Sequence, residues 1–229
     1  MKTMKIEIWS DVMCPFCYIG KRRIEEALAQ FPHRDEIEIE WKSFQLNPEA
    51  VTDPSKNVNQ YLAEQKGISE YQVKQLNDRV TQTAKEAGLH YDFDKAIVAN
   101  SFDAHRLSHL AKKHGKQNEM EEMLFKAYFT EGKNTADHDT LIQLAAEAGL
   151  NRDEVRTVLA GNDFADDVTK DIYEAQQVGA RGVPFFIFND SYAVSGAQPG
   201  KLFLQVLEQS YAQWRNSAAL QQGKSEREL

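Results

Sequence analysis

The stretch MKIEIWSDVMCPFCYIG, residues 4–20, holds both cysteines of this 229-residue chain and decides how the rest of it is interpreted. Residues 4–9 alternate as a β-strand does, and residues 16–29 have the apolar spacing of an amphipathic helix. Cys14 therefore falls at or just before a helix N-terminus, where unpaired N–H groups and the helix dipole favour a thiolate. Cys17 follows about one helical turn later, so it can attack a disulfide formed at Cys14.

Two cysteines in close spacing also have other interpretations. A zinc site would need two further ligands, and His105 with His109, spaced four apart on a helix, are the candidates. They lie far from the cysteines in sequence, and such a spacing is not a usual zinc site. Two inert core cysteines are the remaining alternative. The strand–CPFC–helix context favours dithiol redox chemistry, with no metal expected.

Composition narrows the class of protein. The chain is 41% hydrophobic and 10% aromatic, as expected for a globular protein with one sizeable core. A net charge of −8 argues against nucleic-acid partners. No apolar run is long enough for a membrane span, and the charged N-terminus has no signal-peptide core. We therefore expect a cytoplasmic protein, where a Cys-x-x-Cys pair is more often catalytic than structural.

The order of predicted elements defines the fold class. A second strand over residues 36–46 follows the first helix, and a short crossover predicts that the two strands are parallel. Residues 57–177 read as helices without a strand. A hairpin follows, with strands over 183–188 and 192–195 and a turn at Asn189-Asp190. A helix over 198–214 and a polar, frayed tail close the chain.

This order, β-α-β, helices, β-β-α, predicts an α/β protein with a thioredoxin fold interrupted by an all-helical insertion domain. The predicted domain boundaries are 1–53 for the N-terminal β-α-β part, 54–178 for the insertion, 179–216 for the C-terminal β-β-α part and 217–229 for the tail.

Five ordered segments carry a family resemblance. They are SD and CPFCYIGK within residues 10–21, AHRL (104–107), AYFTEG (127–132), GVPFF (182–186) and VSGAQ (194–198). With these segments the chain resembles the DsbA-like oxidoreductases, and most closely their cytoplasmic, FrnE-like branch. Kappa-class glutathione transferases and 2-hydroxychromene-2-carboxylate isomerases share the insertion topology, but typically carry serine where this chain has Cys14.

The resemblance implies roles around the dithiol. It implies a cis Val183–Pro184 bond facing the cysteines, with the Val183 backbone free to pair with a substrate peptide or glutathione. Pro15 and an exposed Phe16 would add an apolar surface for substrate. DsbA proteins of oxidising compartments have histidine at the position of Phe16, so its absence predicts a less depressed Cys14 pKa and a less oxidising couple.

Three further residues are candidates with open alternatives. Asp11 either caps the turn before the helix or accepts a proton from Cys17. His105, in the segment that resembles a family motif above the active site, either binds substrate, tunes Cys14 or is a packing residue. Arg106 either modulates the site or pairs with a carboxylate inside the insertion.

The function expected first is thiol–disulfide exchange on protein or small thiol and disulfide substrates, without an organic cofactor. A glutathione-dependent isomerase or transferase, and a redox-linked chaperone or binding module, are the alternatives. In each case glutathione is a candidate substrate or reductant, and the chain is expected to be a monomer or a homodimer.

Overall fold

The structure is a computed structural model that describes residues 3–225. Its strands are β1 (Met4–Ser10), β2 (Ile37–Ser43), β3 (Asp53–Asn57), β4 (Ile97–Val98), β5 (Phe185–Phe188) and β6 (Tyr192–Ser195). Its helices are α1 (Pro15–Gln30), α2 (Val58–Lys66), α3 (Glu70–Glu86), α4 (Phe102–Lys113), α5 (Gln117–Phe129), α6 (His138–Glu147), α7 (Arg152–Ala160), α8 (Ala165–Gln177) and α9 (Gly200–Ser225).

A four-stranded sheet in the order β2-β1-β5-β6 forms the centre of the molecule. β1 is parallel to β2 and antiparallel to β5, and β5 returns antiparallel to β6. Asn189 and Asp190 have φ of 49° and 53°, the left-handed values that a tight hairpin turn requires. The thioredoxin fold predicted from the sequence is confirmed.

The strand β1 is paired on both edges and has one wholly buried apolar face. Met4, Ile6 and Ile8 are fully buried in the main core. Trp9 packs on the other face with Ala175 and Phe185, and its indole N–H donates to the Asp171 carbonyl oxygen of α8 at 2.9 Å. The carboxyl end of β1, which leads to the cysteines, is therefore covered on both faces.

The insertion is mostly helical, but the expectation that it contains no strand is wrong. β3 and β4 pair antiparallel as a separate two-stranded sheet, with Asp53 opposite Val98 and Asn57 opposite Ile97. β3 is the polar segment DPSKN and β4 has two residues, so neither carries the alternating pattern that identifies a strand. Tertiary packing brings them together. Asn57 then caps α2 with a capping box.

Two element ends also differ from expectation. β2 ends at Ser43, opposite the last residue of β1, and the Phe44 N–H makes a final hydrogen bond to the Ser10 carbonyl at 2.9 Å. The backbone of α9 continues to Ser225, beyond the predicted end at residue 214 and into the tail that was expected to be frayed. The last four residues of that tail, 226–229, lie outside the described part, and the predicted domain boundaries stay predictions.

Helix α4 is the centre of the insertion. All eight residues from Ala104 to Ala111 are buried, including the polar His105, Arg106, Ser108 and His109. Within the described part of the chain, no helix is long and apolar enough to cross a membrane.

Gly132 and Gly179 form a matched pair that tests the packing of the insertion. Their φ values are 66° and 77°, at which any side chain is strained. A Cβ atom on Gly132 would lie 2.5 Å from Lys95 Cβ and 2.8 Å from its carbonyl oxygen, whereas one on Gly179 would meet nothing within 4 Å. Gly179→Ala should lower the free energy of unfolding by about 1–2 kcal/mol through backbone strain alone. Gly132→Ala should lower it by about 1–3 kcal/mol more, because the added methyl group is overpacked. Urea denaturation measures both, and equal losses would contradict the close contact with Lys95.

Candidate active site

The two cysteines lie where β1 passes into α1. Cys14 is the N-cap residue of α1, with φ −91° and ψ 111°, and Pro15 occupies the first turn, where its missing N–H is not needed. The Cys14 N–H donates to the Asp11 carbonyl at 2.9 Å, and the Cys17 N–H donates to the Cys14 carbonyl at 3.0 Å. Cys14 therefore lies at the helix N-terminus, as the sequence predicts. Both cysteines are free thiols.

The start of β5 faces the dithiol. The Val183–Pro184 peptide bond is cis, as the family resemblance implies. Cys14 Sγ lies 3.5 Å from the Val183 carbonyl oxygen, within the range of a thiol hydrogen bond. The turn before α1 and the turn before β5 thus meet at the sulfur of Cys14.

Gly20 allows this close approach, and sequence reasoning did not select it. A Cβ atom at this position would lie 3.1 Å from Pro184 Cγ and 3.2 Å from Phe186 Cζ. A glycine in the middle of a helix is the signal that could have identified it, since such a residue often marks close packing.

The two sulfurs have different environments. Cys17 is completely buried, and its pKa lies well above the ordinary value because burial and then the neighbouring Cys14 disfavour a second charge. The Asp11 backbone and the Ser10 hydroxyl oppose this rise. Cys14 is 4% exposed, and the neighbouring Phe16 is 44% exposed, as the sequence predicts. Cys14 is thus the sulfur nearer to solvent.

Asp11 makes the hydrogen bonds of a turn cap. Its Oδ1 accepts from the Met13 N–H at 3.3 Å, and its Oδ2 accepts from the Leu46 N–H at 2.7 Å. The side chain is 1% exposed and joins the turn before Cys14 to the loop after β2. His105 Nε2 lies 3.6 Å from Asp11 Oδ1, just beyond normal hydrogen-bonding distance.

His105 and Arg106 point to different parts of the molecule. His105 lies behind the turn before the dithiol, where it contacts Asp11 and is 2% exposed. Arg106 pairs with Asp103 at 2.8 Å and donates to the carbonyl oxygens of Val158 and Gly161 at the end of α7. Arg106 therefore pairs with a carboxylate inside the insertion, which is one of its two predicted roles, and all of these contacts lie within the insertion.

A second polar group joins α1 to the insertion. The Tyr18 hydroxyl donates to Glu122 Oε1 at 2.6 Å, and Arg22 Nη1 donates to Glu122 Oε2 at 2.8 Å. Burial opposes ionisation of Glu122, but Arg22, Tyr18 and Lys21 together lower its pKa to about 2. Glu122 belongs to the charge-rich run at residues 119–122, a pattern that by itself indicates a solvated helix face. Only the tertiary structure shows that it holds α5 against the helix that begins at the dithiol.

A groove of about 470 Å³ opens beside the dithiol loop, between it and the insertion. Its walls are mainly apolar and include Met13, Pro15, Leu46, Leu62, Phe93 and Phe129. Nearby, the Tyr91 hydroxyl donates to the Pro15 carbonyl at 2.7 Å and fixes the loop from the insertion side. Such a cleft, largely apolar and next to a reactive group, is where a substrate is expected to bind. Among the described residues, no three His, Cys, Asp or Glu side chains are grouped as a metal site would require.

The sheet order and the buried Cys-x-x-Cys pair opposite a cis proline define a protein of the thioredoxin fold with a helical insertion. The chain belongs to the DsbA-like thioredoxin domain family, whose model matches residues 5–208. The family predicted from the sequence is thereby confirmed.

Individual proteins agree with this assignment. A solved structure described as a probable DsbA oxidoreductase from Streptomyces coelicolor is 41% identical, with a TM-score of 0.86, and the match covers 91% of this chain and 90% of that one. An uncharacterized protein of Bacillus subtilis, YwbO, is 30% identical over 88% of this chain and 94% of its own length.

A structure of the cytosolic disulfide reductase DsbM from Pseudomonas aeruginosa with GSH is 15% identical, with a TM-score of 0.62 over 94% of this chain and 99% of that one. At 15% identity, the structural similarity shows that the two proteins share a fold.

The different environments of the sulfurs predict selective alkylation. At pH 7 iodoacetamide should modify Cys14 of the reduced protein well before Cys17, because the raised pKa of Cys17 leaves little thiolate and its sulfur is buried. Peptide mass analysis over time measures both sites. In the Cys14→Ser variant the label should remain almost absent. Equal labelling of the two cysteines in the native protein would contradict the assignment of Cys17 as the protected sulfur.

Proposed function

We propose that this protein is a thiol–disulfide oxidoreductase in which Cys14 attacks and Cys17 resolves. The observation that supports this most directly is the position of Cys14: it is the N-cap residue of α1, is the more exposed of the two cysteines, and its Sγ lies 3.5 Å from the Val183 carbonyl oxygen. Its family and its 41% identical relative support the same class of chemistry.

The reaction follows from this arrangement. The Cys14 thiolate attacks one sulfur of a substrate disulfide, and the other substrate sulfur leaves as a thiolate. Cys17 then loses its proton and attacks Cys14 Sγ, which breaks the mixed disulfide and releases the second substrate thiolate. The substrate gains two electrons and the protein holds a Cys14–Cys17 disulfide. The reverse sequence oxidises a dithiol.

The surroundings suggest how a substrate would bind. The backbone of Val183 beside Pro184 would pair with an extended substrate, and Phe16 and Pro15 would contact its apolar groups. The groove beside Pro15 offers further apolar surface. A cytoplasmic location is part of this proposal, in line with a cytosolic disulfide reductase that shares the fold.

Cysteine variants test the assignment of roles. Cys14→Ser should abolish reduction of a peptide disulfide, whereas Cys17→Ser should still attack and should accumulate a stable mixed disulfide, because no second sulfur is present to release it. Intact-mass analysis after mixing detects the adduct. Full activity of Cys14→Ser would refute the proposal.

Equilibration of the native protein in glutathione buffers measures the reduction potential of the Cys14–Cys17 couple. We expect a value nearer the thioredoxin value of about −270 mV than the DsbA value of about −120 mV, because this chain has Phe16 where DsbA has a histidine.

The groove beside Pro15 could also bind glutathione, and this can be tested separately from disulfide exchange. S-methylglutathione cannot exchange disulfides, so its binding to Cys17→Ser, followed by calorimetry, isolates recognition of the tripeptide. If thiol–disulfide exchange with proteins is the main activity, binding should be weak, with Kd at or above about 1 mM. Micromolar binding together with isomerase or transferase turnover would instead favour the glutathione-dependent alternative.

A further inference from the structure

Tyr91 reaches from the insertion to the backbone between the two cysteines. Its hydroxyl donates to the Pro15 carbonyl oxygen at 2.7 Å, although the two residues are 76 positions apart in the chain. Pro15 and Phe16 are the two residues between Cys14 and Cys17, so this bond acts on the peptide group that joins them. A residue of the insertion is thus in direct contact with the Cys-x-x-Cys segment.

The ring of Tyr91 is held in place by other aromatic rings. It is 8% exposed, it stacks on Phe129 with ring centroids 4.7 Å apart and on Tyr18 at 6.1 Å, and it meets Phe93 edge-on at 5.7 Å. Close packing of this kind leaves a side chain one orientation. Burial, and then the charge of a Cys14 thiolate, raise the pKa of Tyr91, so its hydroxyl keeps its proton and remains a donor.

Cys14 changes its hydrogen bonding when it ionises. The thiol donates to the Val183 carbonyl oxygen at 3.5 Å, whereas a thiolate has no proton to donate and can only accept. The side chain of an N-cap residue is placed to accept from the N–H groups of the second and third helical residues, here Phe16 and Cys17. The Cys17 N–H already donates to the Cys14 carbonyl oxygen at 3.0 Å. The Phe16 N–H makes no backbone hydrogen bond within residues 3–225, so it is free to donate to the thiolate.

The Phe16 N–H and the Pro15 carbonyl belong to the same peptide group. A hydrogen bond accepted by the carbonyl of an amide draws electron density toward the oxygen and makes the N–H of that amide a stronger donor. Tyr91 acts on the oxygen of this group, and its N–H is the donor available to Cys14. Such polarisation is larger where water is excluded, and Cys14 and Tyr91 are both buried.

We propose that Tyr91 is a positioning residue that stabilises the Cys14 thiolate through the Pro15–Phe16 peptide group. The proposal rests on the proposed function, in which this thiolate attacks the substrate disulfide. Tyr91 transfers no proton and does not touch the substrate sulfur. It strengthens the hydrogen bond that the Phe16 N–H donates to the charged sulfur, so the insertion contributes to the reactivity of a cysteine in the thioredoxin domain.

Other titratable and charged groups surround the thiolate and the Tyr91 hydroxyl. They are Cys17, Tyr18 and Arg22 of α1, Asp11 in the preceding turn, His105 of α4 and Glu122 of α5. All of them are kept when Tyr91→Phe removes a single hydroxyl group. The difference between this variant and the native protein therefore isolates the hydrogen bond to Pro15.

Tyr211 of α9 provides a matched control. It is 7% exposed, its ring stacks on His33 with centroids 4.6 Å apart, and its hydroxyl donates to Glu36 at 2.8 Å. Glu36 immediately precedes β2, whose first residue lies opposite the first residue of β1. The cysteines follow the other end of β1, so Tyr211→Phe removes a comparable hydrogen bond far from the dithiol.

The pH dependence of Cys14 alkylation tests the proposal. In a Cys17→Ser background Cys14 is the only thiol, so its reaction with iodoacetamide reports its thiolate fraction. Tyr91→Phe should move the midpoint to higher pH, so that alkylation below the midpoint is about two- to fourfold slower and the plateau above it is unchanged. Tyr211→Phe should change neither. An unmoved midpoint in Tyr91→Phe would overturn the proposal, because looser packing alone would change the plateau.

The equilibrium with glutathione gives a second readout in the protein that has both cysteines. A stabilised thiolate favours the reduced form. At a pH above the Cys14 midpoint, Tyr91→Phe should therefore shift the equilibrium toward the Cys14–Cys17 disulfide by about the same two- to fourfold. An unshifted equilibrium would contradict the role of Tyr91 alone. Failure of the native protein to form this disulfide would instead refute the dithiol mechanism itself.

Discussion

The buried carboxylate of Asp11 is the constraint on which the site depends. One oxygen holds the turn that leads to Cys14, and the other holds the loop that leaves β2. A buried carboxylate that accepts backbone N–H bonds at both oxygens fixes two chain segments at once, because each donor would be costly to leave unpaired. Cys14 is consequently presented at the start of α1 in a defined geometry.

The insertion completes the site as well as covering it. Tyr91 holds the Pro15 carbonyl, and Glu122 binds Tyr18 and Arg22 of α1. Helix α4 contributes His105 behind the same turn, while Arg106 ties α4 to the end of α7 and so fixes that helix. The dithiol loop is thus held between a sheet and a helical layer, and the groove beside Pro15 is shaped by both.

Much of the fold was predictable because its signals are local. The alternation in β1, the helix after Cys14, the hairpin turn at Asn189-Asp190 and the buried β5 all lie within short windows of sequence. β3 and β4 were not predictable in this way. β3 is polar and β4 has only two residues, so the two segments pair only because the packing of distant parts of the chain brings them together. The same holds for the buried polar residues of α4, whose spacing fits a surface helix equally well.

The sequence by itself determined the fold class, the family and the two sulfurs, because strand and helix periodicity and the CPFC spacing are properties of neighbouring residues. Only the tertiary structure decided which cysteine is protected, what Asp11 binds, and that His105 lies beside Asp11. Burial, and contacts between residues far apart in the chain, set these properties. No local pattern reports such contacts, since they exist only once the insertion packs against the sheet.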